Sequence, residues 1–195
     1  MTKTIQFYNK NYITLLDQYD NARMYEPYQF FDKYITKDNI VLDLGFGSGR
    51  DLNYIKNITN DIYGIDGSIK FINNLKRDKF YENRISLSLL PKINTSFFKI
   101  NTFDIIISIA VFMHLTKDKI IKTIKNIKNK LNSNARVIIS YSTKSRDNDE
   151  RDFYKISKDE MTYLFNNENF KEVEFIINND SLNRKIEWVT QVYEL

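Results

Sequence analysis

The residues able to do chemistry are concentrated in one short stretch. The chain has five glycines, Gly45, Gly47, Gly49, Gly64 and Gly67, all in one window. Glycine is needed where the backbone takes left-handed dihedrals or must approach a ligand closely. The segment Asp43-Leu44-Gly45-Phe46-Gly47-Ser48-Gly49 reads D-x-G-x-G-x-G, and a second carboxylate, Asp66, follows about 20 residues on. Such a turn lets the backbone approach a nucleoside, and the second carboxylate can accept hydrogen bonds from both ribose hydroxyls. A dinucleotide site instead uses G-x-G-x-x-G, with a pyrophosphate at the helix N-terminus. Asp43 would repel a pyrophosphate, whereas it suits a ligand carrying an ammonium or sulfonium group. Further along, His114 is the single histidine. It is the side chain whose ordinary pKa lies near neutrality, so it is a candidate general base or, alternatively, a packing or capping histidine.

These residues need a scaffold, and the hydrophobic pattern supplies one. Residues 40–44 (IVLDL), 62–66, 85–87, 103–111 (FDIIISIAV), 136–141 and the later runs 173–177 and 186–193 read as strands. Helices are expected from Ser48, from Ser68 as a cap, over 117–131 and near 157–166. Strands alternating with helices imply right-handed βαβ units. The expectation is an α/β, doubly wound Rossmann-like fold: a seven-stranded, mostly parallel sheet with an antiparallel last strand and helices on both faces. Ligands of such sheets bind at the carboxyl ends of the strands, where the glycine turn and Asp66 both fall. The expected organisation is one domain over 1–195, with a helical N-terminal extension over 1–37 and the core over 38–195. Residues 142–154 form a polar loop, longer than a connection requires.

Composition narrows the function classes. The chain has 195 residues, 42% hydrophobic and 14% aromatic, enough for a sizeable core. It has no cysteine, which excludes disulfides, thiolate metal sites and a cysteine nucleophile. A single histidine argues further against a transition-metal site, so no metal is expected. A net charge of +4 permits an anionic partner without requiring one. No membrane span or signal peptide is evident, and the expected location is cytoplasmic.

VLDLGFGSGRD, YGIDGS and FDIIISIAVFMHL resemble the first, second and fourth motifs of class I S-adenosylmethionine-dependent methyltransferases. The resemblance covers roughly residues 20–195 and is greatest to small bacterial members. It implies S-adenosyl-L-methionine as cofactor and S-adenosyl-L-homocysteine as product. By that similarity Asp43 sets the methionine amino group, Gly45, Gly47 and Gly49 line the turn, and Asp66 holds the ribose. Gly67 and Ser68 lie beside the adenine, as would Ser88 and Leu89, and Ala110 closes the fourth motif. In the family an N-terminal segment covers the cofactor, making Tyr8 and Arg23 further candidates. Three departures stand out: Phe46 where a small residue is common, Ser88 where an acid is common, and Asn132-Ser133-Asn134 in place of a Pro-Gly-Gly turn.

For the acceptor side, His114 and Tyr141, which ends the fifth strand, are the catalytic candidates. Tyr25, Arg146, Arg151, Tyr154 and Arg184 are the substrate-binding candidates, since arginines over a pocket can hold a carboxylate or phosphate bidentately. The expected reaction is methyl transfer to O or N of a small metabolite, an anionic one suiting the arginines. A macromolecular acceptor such as RNA is the first alternative, with the lysine-rich 117–130 stretch as its docking face. Nucleic acid is not favoured, because the charge is modest and no recognition domain is appended. A non-catalytic cofactor-binding subunit is the other alternative. The sequence leaves the oligomeric state open.

Overall fold

The structure, a computed structural model, describes residues 2–146, 148–179 and 186–195. Two helices, α1 (Lys3–Asp20) and α2 (Tyr25–Tyr34), precede the first strand. There follow β1 (Val41–Leu44), α3 (Arg50–Ile55), β2 (Ile62–Asp66), α4 (Ile69–Leu75), β3 (Ile85–Leu87) and β4 (Phe103–Ile109). A 3-10 turn at Phe112–His114 leads into α5 (Lys117–Lys128), β5 (Leu131–Ser142), α6 (Lys158–Asn166), β6 (Lys171–Asn179) and β7 (Glu187–Glu194). The seven strands form one sheet in the order β3-β2-β1-β4-β5-β7-β6. β1 runs parallel to β2 and β4, as β4 does to β5, and β7 inserts antiparallel between β5 and β6. This is the Rossmann-like sheet expected, with its last strand reversed.

Alternation along the strands divides the interior in two. Leu42, Ile106, Val137 and Ile139 pack with Ile120, Ile124 and Ile127 of α5 and Met161, Leu164 and Phe165 of α6. On the other face Val41, Ile105, Ile107 and Ile138 meet Phe30 and Phe31 of α2, Leu52 and Ile55 of α3, and Phe71 and Ile72 of α4. Both faces of the central strands are covered, which is why 103–109 reads as a continuous apolar run rather than an alternating one. Burying each such side chain contributes about 1.5–3 kcal/mol.

Element ends follow local chemistry. Ser68 accepts from the Phe71 amide to cap α4, and Ser157 accepts from the Glu160 amide to cap α6. β4 stops at Ile109, two residues earlier than the apolar run, because Ala110 turns left-handed at φ +61°. β5 begins at Leu131, earlier than expected: Asn132 Nδ2 donates to Asp104 Oδ1 at 2.7 Å, tying the polar stretch to β4. Asn134, at φ +61°, supplies the left-handed step that glycine makes in other chains.

Candidate functional site

The glycine turn leaves β1 and enters α3. Gly45, Gly47 and Gly49 have φ of +86°, +56° and +88°. A Cβ on Gly45 would lie 2.5 Å from Val111 Cγ2, so the turn is pressed against the end of the β4 segment. Phe46 is accommodated by Gly64 of β2, where a Cβ would lie 2.8 Å from the Phe46 ring. The turn is therefore retained despite the larger residue.

At the end of β2 the Asp66 carboxylate accepts from the Gly47 amide at 2.9 Å and the Ser68 amide at 2.7 Å. Burial pushes its pKa up to about 6, although the Ser68, Gly47 and Gly67 amides pull the other way. A cavity of about 300 Å³ opens above these residues at the carboxyl ends of β1, β2 and β4. α1 roofs it with Ile5, Tyr8 and Tyr19. That helix is tied down where Ser68 Oγ donates to Asn9 Oδ1 at 2.7 Å and where the Asp152 amide donates to Thr4 Oγ1 at 3.0 Å.

Of the residues expected to hold a nucleoside, Tyr8, Gly45, Gly47, Asp66, Gly67, Ser88, Leu89 and Ala110 line the cavity. Gly67 lies between Ile5 and Leu89, its missing Cβ leaving room for Ile5 Cδ1. These residues form an apolar slot beside Asp66. Ser88 reaches the cavity, but its hydroxyl donates to the Lys92 carbonyl at 2.8 Å and accepts from the Asn94 amide at 3.1 Å. It shapes its own turn rather than offering a free polar group.

Other residues expected at the site lie elsewhere. Asp43 is 1% exposed and sits behind the cavity wall, with Oδ2 lacking a hydrogen-bond partner. Burial, then the charges of Asp51 and Asp66, drive its pKa well above the usual carboxylate range. Gly49 faces Leu75 of α4, so its role is helix packing. Ser68 is fully buried as a cap and an amide donor to Asp66. Arg23 is exposed in the α1–α2 connection, away from the cavity wall. Tyr25 is 72% exposed and Tyr154 39% exposed, and neither lines the cavity. Tyr141 is fully buried in the α6-side core, donating to Gln191 Oε1 at 2.6 Å. Tyr141 does not line the cavity. Arg184 lies outside the described residues.

The far part of the cavity is built from the 3-10 turn, α5, Arg146 and residues 148–157. His114, Lys119, Arg146, Arg151 and Trp188 line this part of the cavity. His114 Nδ1 lies 2.6 Å from the Asp152 carbonyl oxygen, which can only accept, so Nδ1 carries the proton. Nε2 then accepts from the Tyr8 hydroxyl at 2.9 Å. Burial lowers the His114 pKa to about 4, with Arg151 and Arg146 adding to the effect. The imidazole is neutral at physiological pH with both nitrogens engaged, which suits a positioning group better than a free base. Arg151 makes a bidentate pair with Asp149 at 2.9 and 2.8 Å, and this holds the Asp149 carboxyl down at about 2. The Arg146 guanidinium lies 4.2 Å from the Phe153 ring centroid.

A glycine turn, a ribose-type carboxylate at the next strand end and a roofed cavity over a seven-stranded sheet define one kind of site. A family model described as a methyltransferase domain matches residues 16–184. The chain belongs to that methyltransferase family. It is 35% identical to an uncharacterized protein of Methanocaldococcus jannaschii over 140 residues, covering 67% of this chain and 58% of that protein. It is 36% identical over 95 residues to the probable S-adenosyl-L-methionine-dependent methyltransferase TehB of Haemophilus influenzae, covering 47% of this chain and 32% of that protein. The methyltransferase chain thus spans 58% or less of the length of these two curated relatives. Among solved structures, a TehB-like S-adenosylmethionine-dependent methyltransferase from Corynebacterium glutamicum superposes with a TM-score of 0.72 at 17% identity, covering 96% of this chain and 98% of that one.

The cofactor of this methyltransferase family is S-adenosyl-L-methionine, and the residues present fit it. Asp66 would hold a ribose diol, and the Gly67–Leu89 slot would take an adenine. Positive-φ glycines let the backbone close on the rest, and buried carboxylates stand at the glycine-turn end. Arg50, Asp51, Lys119, Tyr19 and Trp188 line the cavity without having been singled out from sequence for the site. Arg50 and Asp51 carried a signal, being part of the GSGRD motif itself. Lys119 was indistinguishable from the solvated lysines of α5. Among the described residues no helix is long and apolar enough to cross a membrane.

Proposed function

We propose that this protein is a methyltransferase that uses S-adenosyl-L-methionine to methylate an O or N atom of a small anionic metabolite. The observation that carries the acceptor class is that Lys119, Arg146 and Arg151 line the cavity together with His114 and Trp188, the two arginines and His114 all meeting the Phe153 ring. Lys119 and Arg146, with Arg151 held against Asp149, give this part of the lining a positive charge that suits an anionic acceptor. When bound, the cofactor supplies a methyl on a sulfonium sulfur, which an acceptor lone pair takes by in-line displacement. The chain's task is alignment and exclusion of water. Asp66 orients the ribose, α1 covers the donor as part of the 1–37 extension of a single domain, and Lys119 with the two arginines orients the acceptor. His114, neutral and held by Tyr8 and Asp152, fixes the wall between them.

The lysines of α5 support a small acceptor rather than RNA. Lys117 pairs with Glu160 at 2.6 Å, and Lys125 with Glu168 at 3.7 Å, so two of the lysines of α5 are already paired with acids of the neighbouring segment. The test is to incubate the enzyme and methyl-tritiated S-adenosylmethionine with separate cell fractions of small metabolites, RNA, DNA and protein. Label is expected in small molecules retained on an anion exchanger. Label confined to RNA, DNA or protein would overturn the acceptor class.

A further inference from the structure

The sheet ends on one side at β3, and that edge is open. In the parallel pairing of β2 with β3, the Gly64 amide donates to the Arg84 carbonyl at 2.9 Å and the Ser88 amide to the Asp66 carbonyl at 3.0 Å. Main-chain groups alternate in direction along a strand, so Arg84, Ser86 and Ser88 turn theirs to β2 while Ile85 and Leu87 turn theirs outward. Neither Ile85 nor Leu87 has a main-chain hydrogen bond on that outer side among the described residues. Their amides and carbonyls are left for a further strand to pair with.

Proteins commonly blunt such an edge by placing charge or proline on the strand itself. Here residues 85–90 (ISLSLL) carry no charge, and Leu87 and Leu89 are 51% and 44% exposed. Phe97, also exposed, lies in the segment that follows, with Lys76 Nζ 5.0 Å from its ring centroid. The Ser86 hydroxyl donates to the Asn94 carbonyl at 3.2 Å and the Ser88 hydroxyl to the Lys92 carbonyl at 2.8 Å. These bonds fasten the turn that carries Lys92 beside the strand. An apolar centre with a charged border is the arrangement of a protein interface.

The positive charge of the chain is concentrated at this edge. Residues 69–101, which make α4, β3 and the segment after it, hold seven lysines and arginines against Asp78 and Glu82, a net of +5. The whole chain is +4, so all other residues together come to −1. None of the seven cations forms a salt bridge among the described residues, and Asp78 is taken at 3.5 Å by Lys56 from outside the stretch. Two such edges repel each other, which argues against symmetric pairing of two copies. A nucleic acid would answer the cations but offers nothing to Leu87 or to the alternating amides and carbonyls. An extended peptide with acidic and apolar side chains answers all of them.

We propose that the β3 edge is a docking site for an acidic, extended segment of another protein, which joins the sheet as a further strand beside β3. This is a binding function separate from the cavity chemistry, and it stands whatever the methyl acceptor is.

The probe is a short synthetic peptide of alternating valine and glutamate, followed by amide NMR and calorimetry on the full chain. Shift changes should centre on Ile85, Leu87 and Phe97, and the Leu87 amide should gain protection from hydrogen exchange. Leu87→Asp should weaken the peptide by about tenfold or more, as should joint reversal of Lys76, Lys92 and Lys99 to Glu. Lys122→Glu, an exposed change on α5, should stay within about twofold. Added salt should weaken binding, and N-methylation of the peptide at alternate residues, on the amides that face the edge, should abolish it. The proposal is overturned if the peptide does not bind wild-type protein, if the shifts map elsewhere, or if the N-methylated peptide binds equally well. A single-stranded oligonucleotide that binds the same residues more tightly would overturn it too, as would self-association that Leu87→Asp abolishes, since each gives the edge a different occupant.

Discussion

The Tyr8 hydroxyl and His114 Nε2 lie 2.9 Å apart, joining residues separated by 106 positions in the chain. Through this contact, and through His114 Nδ1 donating to the Asp152 carbonyl at 2.6 Å, the imidazole links the roof helix α1 to the acceptor-side segment. With the imidazole neutral and Nδ1 protonated, Nε2 accepts from the Tyr8 hydroxyl; a protonated ring would donate to the same oxygen instead.

The chain's single histidine makes that protonation state measurable. Its imidazole NMR resonances should titrate near pH 4, with Nδ1–H as the tautomer above that. A histidine pKa lowered by burial contributes stability that is complete above the unfolded value and is lost as pH falls through about 4. Tyr8→Phe leaves Nε2 buried without its donor and should cost about 1–3 kcal/mol. Titration at an ordinary value near 6.5 would contradict the buried, doubly bonded geometry.

Asp66 gives a pH dependence of its own. With its pKa raised to about 6, the ionised form proposed to hold the ribose declines below that pH. S-adenosylhomocysteine affinity should fall by about tenfold per pH unit below 6 and be flat from 7 to 8, by calorimetry. For the ligand-free fold the sign is opposite: a raised carboxyl pKa contributes stability present below about 4 and lost as pH rises through 6. Asp66→Asn should abolish both trends at this site. Asp66→Ala should weaken cofactor binding by roughly tenfold or more through loss of charge-assisted hydrogen bonds.

Gly45 combines a φ of +86° with a Cβ position 2.5 Å from Val111 Cγ2. Gly45→Ala should therefore cost more than the roughly 1–2 kcal/mol of a left-handed L-residue. Denaturant melts would show this, and a Val111→Ala background should recover the steric part alone.

Tyr141 is placed by the structure to affect stability rather than transfer. Tyr141→Phe leaves Gln191 Oε1 without its 2.6 Å donor in a buried site, for about 1–3 kcal/mol. The rate of methyl transfer per folded molecule should stay within about twofold. A loss of rate without a loss of stability would return Tyr141 to the reaction.

Much of this molecule was legible in its residues. Patterns that act over a few positions revealed the alternation of strands and helices, the glycine turn, Asp66 at a strand end and the serine caps. Even the placement of Tyr141 had a signal: it shares strand parity with Val137 and Ile139, which face α6. What only the tertiary structure decided is which polar side chain of several reaches the cavity. Asp43 sits in a strand whose faces are both covered, so its carboxylate ends behind the wall, while Asp51, at the start of α3, ends on it. Arg23 and Arg50 are equally plausible cations in a string of letters, but one lies in an exposed connection and the other under the Tyr19 carbonyl. His114 could be a base until Tyr8 and Asp152 are seen to occupy both nitrogens. Local sequence sets dihedral preferences and hydrophobic period; side-chain direction and desolvation depend on neighbours brought from distant segments, and those come only with the packed fold.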